Sequence, residues 1–328
     1  MQNATVPQPQ RLNGPGLSQS PTFRIYERPA ELNFVIMSWS VPEVCVLTYH
    51  AALLAPPPSL PSSCPTIMPA ALAICAHPDD IEILMGGTLL QLARRGWDLH
   101  YVNLCDGSRG STTMSRQECA AVRLEEAKRS CEVLGAKFYP PIYSDMEAVY
   151  TTENLQKVTA IVRASKASIV LTHSPSDYME DHEISCRLAV SAAFSHGMPN
   201  LESIPPVESY YEPVTVYHAQ PVGNRTPLGE LVVPHFYVDS TDLIEKKIEA
   251  LACHASQKEW LDVSQGMDSY LETTRQLSRE VGRMSRQFEH AEGWRRHLHW
   301  GFCNSDDDPL RLALRDVIIE SDPTGASA

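Results

Sequence analysis

The chain has 328 residues, 43% of them hydrophobic and 20% charged, which fits one large globular domain or two small ones and excludes a wholly disordered chain or a collagen-like fibre. Its 27 basic and 40 acidic side chains give a net charge of −13, so neither nucleic acid nor an anionic membrane is expected as a partner. No apolar run approaches the roughly 18 residues of a membrane-spanning helix. The 9 cysteines are odd in number and form no C-x-x-C pair, which argues against a disulfide framework and points to a reducing, cytoplasmic compartment.

Residues 1–69 are rich in proline and include Pro56-Pro57-Pro58. They are expected to form a disordered extension, or to lie outside the natural protein, whose start would then be Met68. From Ala71 the pattern alternates strand and helix. Ala71–Ala76 is a continuous apolar run, the mark of a strand buried on both faces. Gly86–Arg95 reads as a helix closed by Gly96, and Leu99–Leu104 as a second strand. Ser115, with Glu118 three residues on, opens a helix that Gly135 ends. A short strand at Phe138-Tyr139, a helix over Asn154–Ala164, a buried strand over Ser168–Thr172 and a helix over Ile184–Phe194 follow. Strands at Val214–Tyr217 and Phe236–Val238, then helices near 242–254 and 267–284, complete the pattern. The alternation predicts an α/β fold, a Rossmann-like, mostly parallel sheet flanked by helices over residues 70–310, with a smaller C-terminal part and a tail over 311–328.

Ligands of an open parallel sheet bind beyond the carboxyl ends of its strands. There the chain carries His77-Pro78-Asp79-Asp80, then Asp106-Gly107-Ser108-Arg109, then His173 with Asp177 and Asp181-His182. An imidazole and two carboxylates within four residues can serve one metal ion, with the spare carboxylate taking a proton. His182 is placed to add a ligand. Asp181 can orient an imidazole, cap a helix, or do both. No G-x-G-x-x-G follows the first strand, which argues against a dinucleotide-binding oxidoreductase. Trp294, Trp300 and Phe302 read as core rather than as a sugar subsite, and Asp306-Asp307-Asp308 as a solvated turn.

Ala76-His77-Pro78-Asp79-Asp80-Ile81-Glu82 with Gly86-Gly87-Thr88, and later Pro175-x-Asp177-x3-Asp181-His182, resemble the two metal motifs of the LmbE-like, or PIG-L, family of N-deacetylases. Arg123 with Glu126-Ala127 is similar to that family's arginine-bearing helix, and Lys247, Ala250, His254 and Ser256-Gln257 extend the likeness. The resemblance implies a zinc hydrolase that removes the acetyl group from an N-acetylglucosamine-type sugar or glycoside. By the same resemblance His77, Asp80 and His182 would hold one Zn2+ or another divalent ion. Asp79 would be the general base and Arg123 would help hold the substrate. From their places at the strand ends, Asp181 is also expected to be catalytic, and Arg109 and Asp177 to bind substrate.

Many members have a histidine, which assists at the tetrahedral intermediate, where this chain has Met179. A thioether donates no hydrogen bond, so another group is expected to supply the donor, with His254, His218 and His235 as the candidates and His254 foremost. The alternatives to a sugar deacetylase are an amidase on another N-acyl or thiol-conjugate substrate, and a catalytically weak sugar-binding homologue. The partner expected is a small N-acetylated sugar; a homo-oligomer is left open.

Overall fold

The structure, a computed structural model, describes residues 68–257, 260–261 and 270–322. The expected extension therefore falls almost wholly outside the described residues. The strands are β1 (Ala70–Cys75), β2 (Asp98–Asn103), β3 (Lys137–Tyr139), β4 (Ile169–Thr172), β5 (Thr215–Ala219), β6 (Phe236–Asp239), β7 (Ala291–Arg296) and β8 (Ile318–Glu320). They form one sheet in the order β3-β2-β1-β4-β5-β7-β6-β8. The first five are parallel, and β7, β6 and β8 join them antiparallel.

The helices are α1 (Asp80–Arg94), α2 (Arg116–Leu134), α3 (Thr152–Ser165), α4 (Glu180–Ser195), α5 (Ile244–Leu251), α6 (Tyr270–Ser285) and α7 (Pro309–Leu314). Alternate residues of β1 point to opposite faces of the sheet, as its pleat requires. Ala71, Ala73 and Cys75 pack with Met85 and Leu89 of α1 and Cys131 of α2. Leu72 and Ile74 pack with Val158 and Val162 of α3 and Leu188 and Ala192 of α4. Both faces are thus covered, which is why β1 reads as an unbroken apolar run. Ser115 and Glu118 make the expected reciprocal cap of α2, and Gly135 takes the left-handed turn at φ 71°.

Three expectations need adjustment. Helix α1 starts at Asp80 rather than Gly86, and α4 at Glu180 rather than Ile184. Both motifs therefore supply first-turn helix residues, where acidic side chains face the positive end of the helix dipole. Asp181 is not a cap: Met179 occupies the cap position of α4 and makes no side-chain cap bond. The stretch after 310 belongs to the fold as far as Glu320, because Leu314 is fully buried and β8 pairs with β6.

Strand β7 has no counterpart in the pattern reading, because Glu292, Arg295 and Arg296 break its apolar alternation. Glu292 is nevertheless buried: its two oxygens accept the N–H groups of Gly87 and Thr88, both at 2.7 Å. Lys247 of α5 neutralises it, with Nζ 2.7 Å from Oε1. A carboxylate thus inserts against the side of α1. Glycine at 87 permits the approach, since a Cβ there would stand 2.6 Å from the Ser240 Cβ. Trp294 is core, its indole N–H bonded to the Thr88 hydroxyl at 2.9 Å. Trp300 is exposed, and Asp308 of the acidic run caps α7.

Candidate active site

The crevice lies beyond the carboxyl ends of β1 and β4, where the strand order reverses. A cavity of about 390 Å³ opens there. Its lining includes His77, Asp79, Asp80, Arg109, Arg123, Met179, Asp181 and His182.

Strand β1 delivers His77, and the turn through Pro78 puts Asp79 at φ 119°. That is a costly conformation for a residue with a side chain, and such strain tends to collect at functional sites. Asp80 folds back to accept the His77 backbone N–H at 2.7 Å. One ligand atom each from His77, Asp80 and His182 fall within 4.8 Å of one another, all three residues buried. The His77 Nδ1 and His182 Nε2 atoms each lie 3.5 Å from Asp80 Oδ2.

The outward-facing nitrogens are engaged elsewhere. His77 Nε2 meets Asp181 Oδ2 at 3.1 Å, and His182 Nδ1 meets Asp177 Oδ1 at 2.9 Å. With each carboxylate accepting a hydrogen bond from its imidazole N–H, the other ring nitrogen turns a lone pair inward, the usual arrangement behind a metal-binding histidine. Asp181 is itself fixed by the Met146 N–H at 2.8 Å. Two inward lone pairs facing a carboxylate repel one another, and a proton or a cation relieves that repulsion. The donor set thus fits a divalent ion that accepts nitrogen and oxygen.

The charges around each group follow. Burial opposes protonation of His77, but its bonds to Asp181 and Asp80 outweigh this and hold it well above the ordinary imidazole range. Burial likewise opposes the charge on His182, and Asp80 and Asp177 outweigh it. Burial would raise Asp80, yet His182 and His173 hold it well below the usual carboxylate range. Asp79 goes the other way: burial and the adjacent Asp80 push it up to about 6. Among the described cavity-lining carboxylates, Asp79 alone bonds to neither an imidazole nor a backbone N–H. Its Oδ2 accepts the Tyr270 hydroxyl at 2.6 Å.

The other expected site residues divide. Arg123, 2% exposed, lines the cavity while tying two strand-end loops together, with bonds to Gly107 O at 3.0 Å and Pro78 O at 2.9 Å. Gly107 leaves it room, since a Cβ there would lie 2.6 Å from the guanidinium stem. Arg109 also lines the cavity, but its guanidinium is bound to Asp145 O and to Glu147.

Asp177 does not line the cavity; it stands behind His182, which takes its carboxylate away from substrate. His254 does not line it either. It is fully buried, with Nε2 3.3 Å from Glu82 Oε1. His218 is bound to the His173 carbonyl and to His297, while His235 is exposed and accepts the Arg296 N–H. All three histidines considered as replacement donors therefore sit outside the cavity.

Three residues were missed. Tyr270 reaches Asp79 from a helix 191 positions away, which no local pattern reveals. His173 stacks on His182 at 4.1 Å, and its Nε2 accepts the Ala76 N–H at 2.9 Å. Tyr178 lines the cavity beside Met179, edge-on to His182. Its motif position was the available signal.

Residues 72–194 match the profile of the PIG-L family, described as GlcNAc-PI de-N-acetylase. The chain is 34% identical over 230 residues to diacetylchitobiose deacetylase of Thermococcus kodakarensis, an alignment covering 68% of this chain and 81% of that protein. The chain belongs to the PIG-L family. N,N'-diacetylchitobiose deacetylase from Pyrococcus horikoshii, complexed with its inhibitor MPG, shares the fold with a TM-score of 0.60 and 27% identity, over 70% of this chain and 83% of that one. The 4-carboxy-2-hydroxymuconate hydratase of Pseudomonas putida KT2440 has a TM-score of 0.61 at 24% identity, over 74% of this chain and 99% of that one. The PIG-L scaffold is therefore shared by proteins named for different reactions, and the chemistry has to be argued from the site.

Proposed function

We propose that this PIG-L protein is a zinc-dependent hydrolase that removes the acetyl group from an N-acetylglucosamine-type amino sugar or glycoside. The observation that carries this reading is the convergence of His77, Asp80 and His182 beside Asp79, a carboxylate left without an imidazole or backbone partner. The two diacetylchitobiose deacetylases support the substrate class.

His77, Asp80 and His182 would hold the ion. When bound, it supplies Lewis-acid polarisation and makes water a stronger acid, with a pKa near about 7. Asp79 accepts the proton of the attacking water as the new C–O bond forms, and then returns it to the amine nitrogen as the amide C–N bond breaks. The products are acetate and the free amine. Asp181 and Asp177 keep the two imidazoles in the ligating tautomer. Tyr270 holds the Asp79 carboxylate in place through its hydroxyl. Tyr178 carries the neutral donor beside Met179 that the developing oxyanion needs. Arg123 keeps the loops after β1 and β2 in register around the substrate.

The test is release of acetate and amine in equal amounts from N-acetylglucosamine and N,N'-diacetylchitobiose by zinc-supplemented protein. A metal-loaded protein that yields neither product from either compound would reject the reading.

A further inference from the structure

We infer that the substrate carries an apolar aglycone, an alkyl or aryl group of several carbons, seated in the part of the cavity away from the acid–histidine cluster. This inference rests on the deacetylase reading above and names its substrate class more closely.

The cavity has two unlike parts. One is the cluster of imidazoles and carboxylates. The other is marked by a smaller cavity of about 30 Å³, which shares Ile83, Val222, Gly223 and Leu277 with the larger one and none of its carboxylates or imidazoles. The shared side chains are all apolar. Leu261 joins them in the larger cavity, packed in the same apolar cluster as Ile83.

The helical stripe on α6 explains part of this wall. Tyr270, Thr274, Leu277 and Val281 recur at helical spacing on one face. Tyr270 and Val281 are buried in apolar clusters at the two ends. Leu277, between them, belongs to none of the described apolar clusters, and neither does Val222. Each is a partly buried apolar side chain that lines both cavities.

The chemistry of the smaller cavity excludes a charged occupant. Among the described residues its charged side chains are Lys247 and Glu292, and they are bound to each other at 2.7 Å. Glu292 is further saturated by two backbone N–H groups, and Lys247 by Ser278 at 3.1 Å. Among the described residues no unpaired cation lines it for a phosphate or a carboxylate. A second sugar ring would set most of its hydroxyls against Ile83, Val222 and Leu277, with Gln220, Asn224 and Ser278 as the uncharged polar side chains there, so it gains less from this surface than a hydrocarbon group does. A hydrocarbon group gains from the same surface. The occupant is therefore the apolar group joined to the sugar, reaching past Ile83 while the acetamide lies against Asp79.

The experiment compares the methyl, butyl, hexyl and phenyl β-glycosides of N-acetylglucosamine. The first readout is kcat/KM for acetate release by zinc-supplemented protein. The second is Kd by calorimetry on metal-stripped protein, which does not depend on turnover. A parallel series of methyl glycosides lengthens the N-acyl group from acetyl to hexanoyl.

From methyl to hexyl, kcat/KM is expected to rise about tenfold and Kd to fall by a similar factor, well short of the roughly fourfold per methylene that full burial would give. Leu277→Asn should cut the hexyl-to-methyl ratio about tenfold, and Leu277→Ala severalfold. Equal kcat/KM and equal Kd across the glycosides would overturn the inference and leave the deacetylase reading standing. A gain confined to the acyl series would also overturn it, by moving the apolar group to the other side of the amide. No acetate from any compound would reject the deacetylase reading; a Kd that still falls with chain length would then support the apolar site alone.

Discussion

Asp79 and Asp80 are adjacent in sequence and opposite in character. Asp80 is surrounded by His182, His173 and His77, which favour its charged form. Asp79 is pushed up to about 6 by burial and by Asp80 itself. Neighbouring carboxylates whose environments drive them apart are the usual sign of divided roles. Asp79→Asn should keep the metal and lose about 10²–10⁴ in kcat, read by acetate release beside elemental analysis. Near-normal turnover would remove Asp79 from the chemistry. Asp181→Asn and Asp177→Asn should each weaken zinc binding by about 10–100-fold, because the imidazole behind them loses its fixed tautomer. A zinc titration showing unchanged affinity would make these contacts merely structural. At this scale the convergence of His77, Asp80 and His182 was legible, since they sit in short motifs at strand ends. The supporting residues were legible only in part. Asp177 looked like a substrate contact because a motif gives proximity but not the direction a side chain faces. Tyr270 was invisible because its contact with Asp79 spans 191 positions.

At the scale of elements, the parallel half of the sheet was readable, and of the antiparallel half only β6 was. Strands β1 and β4 are buried on both faces and therefore appear as apolar runs. Strand β7 carries Glu292 in its interior, where burial depends on Lys247 and on two N–H groups of α1. Periodicity cannot register a partner that comes from elsewhere in the chain. The same contact explains Gly87 within the interior of α1. Alanine normally stabilises a helix interior by about 1 kcal/mol over glycine. Here its Cβ would stand 2.6 Å from Ser240 Cβ and 3.0 Å from Glu292 Oε1. Gly87→Ala should therefore destabilise the protein by about 1–3 kcal/mol, the usual range for overpacking, as measured by the urea midpoint. A stabilised variant would show that α1 and β7 are not in the close contact described.

For the whole molecule, acid sensitivity has an identifiable contributor outside the cavity lining. His218, 4% exposed, lies between the His173 carbonyl and His297. Burial, with the nearby charges of His297 and Arg295, pushes it down to about 4. An unfolded histidine titrates near about 6.5. Below that pH the unfolded chain takes up a proton that the folded chain refuses, so stability falls as pH drops from about 6.5 towards 4. Between pH 7 and 5 this group should cost about 2 kcal/mol. Urea unfolding of the wild type and of His218→Asn at the two pH values checks it. The variant should lose less stability on acidification, and an equal loss in both proteins would absolve His218.

The measurement that bears most directly on the site is acetate release from N,N'-diacetylchitobiose as zinc is returned to metal-stripped protein. Activity should be absent in the stripped protein, rise linearly and level off at one zinc per chain. His77→Ala and His182→Ala should fail to reach that plateau. Acetate released at the full rate by stripped protein, or a zinc-saturated protein that releases none, would contradict the assignment of this cluster as a metal-dependent deacetylase centre.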